Sequence, residues 1–227
     1  MTRTIAVDGP SGAGKSTIGF ALAGRIGATF VDTGLMYRAL TLAALEGGID
    51  VDDGAALGVL ATTCRIEVER PRADQHDRPE TVLLDGRDVT LEVRRPPIDR
   101  AVSAVSRHAE VRRAMLGVQR AAAMRGDTVM VGRDIGTVVL PDATLKVFVV
   151  ASAAVRAARR AAEMGTPERA DEYLAEILQR DAADANREVA PLRQAPDALV
   201  LDTGALDVEA CVDAIVARLE ELEAVGA

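Results

Sequence analysis

The sequence predicts an α/β chain: a parallel sheet with helices on both faces. Three observations carry this. Short apolar runs such as "TIAVDG", "TFVDTG", "TVMVGRD", "TLKVFVVA" and "ALVLDT" recur along the chain. Between them lie longer stretches whose apolar residues return every three or four positions. Glycine, proline and polar clusters punctuate the switches from one period to the other.

Taken in order, "TIAVDG" is a strand, followed by a glycine-rich loop and a helix over "KSTIGFALAGRIGA" that ends at Gly27. "TFVDTG" is a second strand. "LMYRALTLAALEGG" is a helix closed by glycines, and Gly54 to Thr62 is a further Ala/Leu helix. The pattern then changes. "CRIEVER" alternates, "TVLLDG" and "RDVTLEV" follow with Asp85-Gly86 as a tight turn, and the three read as a small antiparallel insertion. Its polar stretch, Arg70 to Glu80, reads as a flexible tip. "PIDRAVSAVSRHAEVRRAMLGVQRAAAMRG" is helical, as one helix or two. After two buried strands come the helices "SAAVRAARRAAEMG" and "RADEYLAEILQRDAADANR", around a polar loop from Gly165 to Ala170. "ALVLDT" is a last strand and "DVEACVDAIVARLEELEA" a closing amphipathic helix.

Composition narrows the function. The 227 residues suit one domain with appendages, and the scarcity of aromatics (Tyr 2, Phe 3, Trp 0) means an aliphatic core. A net charge of −8 argues against a general nucleic-acid binder and against an anionic membrane surface. Cys64 and Cys211 lie far apart without metal-type spacing, as expected of reduced thiols in a cytoplasmic protein. The beginning of the chain has no apolar leader pattern, and no long apolar run follows; a monomer is the expectation.

The stretch "GPSGAGKST" fits G-x-x-x-x-G-K-[ST], a phosphate-binding loop between a strand and a helix. Gly9, Pro10, Ser11, Gly12, Ala13, Gly14, Lys15, Ser16 and Thr17 are its residues. The glycines let backbone N–H groups turn inward around the α- and β-phosphates of a nucleoside triphosphate. Lys15 is one of only two lysines among 27 basic residues. Its compact ammonium spans the β- and γ-phosphates, where a planar guanidinium would not thread. Ser16 is the candidate Mg²⁺ ligand. No apolar strand ends in a paired acid, so water completes the metal's shell, with Asp32 a more distant contributor. The guanine-reading N-K-x-D is absent, since Asn186 is the one asparagine.

"GPSGAGKST", "DTGLMYR", "SAVSRHAEVR", "GRDIGTVVLPDA" and "QRDAADANREVAPL" together resemble the bacterial cytidylate kinases, nearly end to end from Ile5 to Thr203. The resemblance implies the P-loop NTPase fold with a nucleoside-monophosphate-binding insertion and a mobile lid. It divides the chain into a core (1–62, 96–150, 198–227), the insertion (63–95) and a lid with arginine-bearing helices (151–190). It implies transfer of the γ-phosphoryl group of ATP, with Mg²⁺, to CMP or dCMP. Ser103, Arg112 and Asp134 fall on the cytosine readers, Arg180 and Asp184 on the ribose contacts, and Arg38, Arg133 and Arg187 on the acceptor-phosphate arginines. Thr33 and Tyr37 line the same pocket. Arg156, Arg159 and Arg160 fall on the lid arginines; Lys15, Arg133, Arg156, Arg159 and Arg187 form the expected catalytic set.

The chemistry of the residues agrees. Phosphoryl transfer between two anions needs cations around the transition state and little covalent work. Cytosine presents an amino donor beside two acceptors, and a carboxylate with an arginine is the complementary pair. From the residues alone, a kinase acting on UMP, AMP or a small metabolite stays open, as does a non-catalytic nucleotide sensor. The second arginine set speaks against the sensor, which needs one anion site.

Overall fold

The computed structural model describes residues 2–71 and 79–226. Residues 72–78, the middle of the expected flexible tip, lie outside the described residues. In chain order the elements of the first half are β1 (Thr4–Asp8), α1 (Lys15–Ile26), β2 (Thr29–Asp32), α2 (Thr33–Glu46), α3 (Gly54–Thr63), β3 (Ile66–Glu69), β4 (Thr81–Leu84) and β5 (Arg87–Asp88). There follow α4 (Pro96–Arg107), α5 (Ala109–Ala123), β6 (Thr128–Gly132), β7 (Leu145–Val150), α6 (Ala153–Glu163), α7 (Ala170–Ala185), β8 (Leu199–Asp202) and α8 (Val208–Gly226).

The central sheet has five strands in the order β2-β6-β1-β7-β8, and β1 pairs parallel with β7 and β7 with β8. The order is non-consecutive because parallel neighbours need helical crossovers. The chain forms two compact units: residues 3–28 with 129–227, and residues 29–128.

Local chemistry sets the ends of the elements. Asp32 caps α2 by accepting from the Gly34 N–H at 2.8 Å, Asp53 caps α3 through Ala56 N–H at 2.9 Å, and Ser152 caps α6 through Val155 N–H at 3.2 Å. In the antiparallel sheet β3-β4-β5, Asp85 and Gly86 both take positive φ (51° and 81°), the geometry of a hairpin turn whose twist matches its strands. The Asp85 carboxylate also accepts from Arg65 N–H at 2.7 Å, across the base of the hairpin.

One expectation needs correction, and two further segments are specified by the structure. The strand expected over "RDVTLEV" stops after Asp88 and gives way to a 3₁₀ turn, Glu92–Arg94. Asp88 ends it by accepting from both the N–H and the hydroxyl of Thr90, at 3.1 and 2.6 Å. The long helical stretch, expected as one helix or two, is two. His108 breaks it in extended conformation (φ −69°, ψ 129°) and its Nε2 donates to the Val51 carbonyl at 2.9 Å. Finally, "GRDIGTVVLPDA" contains a π-turn over Ile135–Val139 that has no periodic signature.

Candidate functional site

The glycine loop lies between β1 and α1, at the carboxyl end of a central strand, where open α/β sheets place ligands. Gly9 has φ 149°, and a Cβ there would sit 2.1 Å from the carbonyl oxygen of Val149, so this position admits no side chain. Gly14 caps α1 in the left-handed region (φ 88°), turning the chain so that the first amides of the helix face outward. The first turn of α1 carries no acidic residue, which leaves its positive dipole end available to an anion. Lys15 is buried, and its Nζ donates to the Pro10 carbonyl at 2.7 Å. Ser16 and Thr17 line a cavity of about 440 Å³ that is also bounded by Arg159, Thr203 and Asp207.

Two arginines of α6 brace this loop. Arg156, 4% exposed, donates from Nε to Ala151 O (3.0 Å) and from NH1 to Ser11 O (3.1 Å). Its guanidinium also forks onto both carboxylate oxygens of Asp181, at 3.1 and 2.6 Å. Arg159 holds both oxygens of Thr203, Oγ1 at 3.0 Å and the carbonyl at 2.6 Å. The Thr203 hydroxyl lies 3.1 Å from the carbonyl of Ala13, inside the loop. Arg160 instead lies over the ring of Tyr173, 5.8 Å from its centroid, beside the small core of Ala157, Ala161, Tyr173 and Ile177 that joins α6 to α7.

A second cationic group surrounds Asp184, which is 4% exposed. Arg133 Nε donates to Asp184 Oδ2 at 2.7 Å and its NH1 to the Gly9 carbonyl at 3.1 Å. Arg187 pairs with the other oxygen of Asp184. Arg187 was expected on the helix, but α7 ends at Ala185. Asn186 stops it by directing both its backbone N–H and its side-chain amide at the Ala182 carbonyl, at 3.1 and 2.9 Å.

Buried at the end of β1, the Asp8 carboxylate accepts from two successive amides, Ile135 N–H and Gly136 N–H, each at 2.7 Å. Burial, reinforced by the nearby Asp134 charge, raises its pKa to about 6; the two amides and Lys15 pull the other way.

In residues 29–128, Thr33 and Tyr37 are buried in the first turns of α2, and the Arg112 guanidinium lies 5.6 Å from the Tyr37 ring centroid. Arg112 also donates to the Ser106 carbonyl at 3.2 Å. Arg38 donates to Val93 O at 3.2 Å and to Asp99 Oδ1 at 2.5 Å, while Ser103 is exposed on α4. Glu80 is 2% exposed, with Arg94 at 3.5 Å. Burial, then the charge of Asp32, pushes its pKa up to about 8 against the pull of Arg94.

Comparison with known proteins identifies the family. The cytidylate kinase family model matches residues 5–221. The chain belongs to the cytidylate kinase family. A cytidylate kinase of Exiguobacterium sibiricum is 47% identical over 221 residues, covering 96% of this chain and 95% of the relative. One from Mycobacterium avium is 45% identical over 213 residues (92% and 91%), and one from Chloroflexus aggregans 48% over 204 residues (88% and 86%). Among solved structures, an uncharacterized protein from Eubacterium ventriosum superposes with a TM-score of 0.53 at 12% identity, over 96% of this chain and 98% of that one, a likeness of fold.

For this cytidylate kinase family member, the expected residues divide into groups. Arg156 and Arg159 meet the loop, Arg133 and Arg187 meet at Asp184, and Tyr37 meets Arg112; Arg160 points to Tyr173 instead of the loop. Arg180 is half-buried on α7. Residues that the sequence did not single out include Thr203, Asp181 and Asp8. The signal for Asp8 and Thr203 was their place at the carboxyl ends of strands, where a charged or polar residue interrupts an apolar run.

Proposed function

We propose that this protein transfers the γ-phosphoryl group of ATP to CMP or dCMP, releasing ADP and CDP or dCDP. The observation that carries the reading is the presence, beside the Lys15 loop, of a separate arginine pair, Arg133 and Arg187, gathered on one buried acid. One anion site serves a sensor; a phosphoryl transferase needs cations for donor and acceptor.

In this reading the loop amides and Lys15 hold the ATP phosphates. Lys15 must exchange its Pro10 carbonyl for phosphate oxygen. The residues fit Mg²⁺. Ser16 is exposed at the loop cavity, and among the described residues no cluster of three acids, histidines or cysteines competes for a metal. Mg²⁺ keeps most of its water and takes few protein ligands, and it screens charge on the phosphates when bound. Arg156 and Arg159 fix the loop, and Arg159 borders the ATP cavity. Arg38, Arg133 and Arg187 take the acceptor phosphate, and Arg180 and Asp184 the sugar. Asp134 accepts from the cytosine amino group, Arg112 and Ser103 donate to its acceptors, and Thr33 and Tyr37 pack beside it.

Residues 63–95 form the monophosphate-binding insertion, 151–190 the lid and its arginine helices, and 1–62, 96–150 and 198–227 the core. No helix among the described residues is long and apolar enough to cross a membrane, and a cytoplasmic monomer is the proposed state. A coupled assay of ADP release with CMP, dCMP, UMP and AMP tests the function. CMP or dCMP should exceed UMP and AMP by at least about two decades in kcat/KM; equal turnover of all four, or none, overturns it.

A further inference from the structure

We propose that Asp8 is a positioning residue for base choice: its carboxylate holds the turn that carries Asp134. The inference rests on the reading of Asp134 as the group that accepts from the cytosine amine.

The turn is short and irregular. Asp134 has φ −140° and ψ 27°, outside both helix and strand. Its carbonyl accepts from Val138 N–H at 2.9 Å and Val139 N–H at 3.1 Å, closing the π-turn over Ile135–Val139. The amides that open that turn point back toward β1. Ile135 and Gly136 are both buried, and a buried amide without an acceptor costs free energy. Asp8, 4% exposed, meets both amides, one with each oxygen. A Cβ on Gly136 would press on the Lys146 stem, 3.1 Å from Cγ, and would meet Asp8 Oδ2 at an ordinary contact distance of 3.4 Å. Residue 8 therefore sets where residues 135 and 136 sit, and through them the direction in which the preceding side chain leaves the backbone.

Arg133, on the other flank, has its own anchors in Asp184 and the Gly9 carbonyl. Loosening the amides of residues 135 and 136 is therefore felt at Asp134 before it is felt at Arg133. A general structural role for Asp8 would weaken every substrate alike. A positioning role weakens discrimination between bases.

Asp8→Asn is nearly isosteric but turns an amide NH₂ toward one of the two N–H donors. The expected result is a fall of about tenfold in the ratio of kcat/KM for CMP to that for UMP, taken in KM for the monophosphate. The KM for ATP should stay within about twofold. Asp134→Ala is measured alongside. If it collapses the ratio and Asp8→Asn leaves the ratio intact, the proposal is overturned and the reading of Asp134 stands. If Asp134→Ala itself leaves the ratio intact, the reading of Asp134 falls, and the proposal with it. The double variant should match Asp134→Ala alone, because both act through one side chain; additive losses count against the mechanism. Should Asp8→Asn fail to fold, Asp8→Glu keeps the carboxylate but displaces it by one methylene from the same two amides, and its ratio decides in the same way.

Discussion

Asp184 Oδ2 accepts from Arg133 Nε at 2.7 Å, and the same carboxylate pairs with Arg187. One buried acid thus balances two arginines whose side chains are only 18% and 11% exposed. Removing the acid leaves two cations crowded together with little water. For Asp184→Ala, urea unfolding should show a loss of about 3 kcal/mol, within the range for breaking a buried pair from one side. A loss under about 0.5 kcal/mol would mean that the arginines find other partners.

Lys15→Met keeps the stem and deletes the charge. The protein should fold, because the loop keeps its contacts to Arg156 and Thr203, while turnover of ATP with CMP drops by roughly three orders of magnitude or more. Near-normal turnover would overturn the phosphate-loop role. Lys15→Arg should also be poor, since the guanidinium needs more room than the ammonium.

Thr203→Val preserves shape but removes the hydroxyl that links Ala13 to Arg159. A hydrogen bond to a charged group contributes about 1.5–3 kcal/mol. The KM for ATP should rise about tenfold or more while the KM for CMP holds. Equal change in both, measured by varying each substrate in turn, would show that Thr203 acts on the whole fold.

Glu80 titrates in the other direction from most paired acids. Its pKa of about 8, above the ordinary 4.5, means that the folded protein binds this proton more tightly than the unfolded chain. Stability therefore falls as pH rises from about 4.5 to about 8, and the full penalty is present above that window. Glu80→Gln removes the titration. Its advantage over the native protein should grow across the window, by up to about 1.4 kcal/mol per pH unit. Denaturation at pH 5 and pH 8 checks this; an advantage that does not change with pH refutes it.

Much of this was legible in the residues. The glycine loop is written in a contiguous pattern, because backbone approach at Gly9 and a left-handed turn at Gly14 each require glycine. The hairpin shows in Asp85-Gly86, where both residues take positive φ. What stayed hidden was long-range. Thr203 reaches Ala13 across 190 positions and Asp8 reaches Ile135 across 127, and no local period records such pairs. Arginine abundance concealed the rest. Arg159 and Arg160 are adjacent in sequence, yet each step along a helix turns about 100°, so one meets Thr203 and the other Tyr173.

The position of β1 in the sheet has a consequence for biosynthesis. Strand β1 is made before both of its sheet partners yet lies in the interior, flanked by β6 and β7. Those partners begin at residues 128 and 145, so β1 waits for more than a hundred further residues before either of its edges can be paired. At ordinary elongation speeds that is roughly 5–30 seconds with the apolar segment Ile5–Val7 unpaired. Residues 29–128 are meanwhile complete and can condense first. A strand made early is thus among the last to be secured, and a nascent chain stalled before residue 145 would present an unfinished strand to whatever chaperone or neighbouring chain it meets.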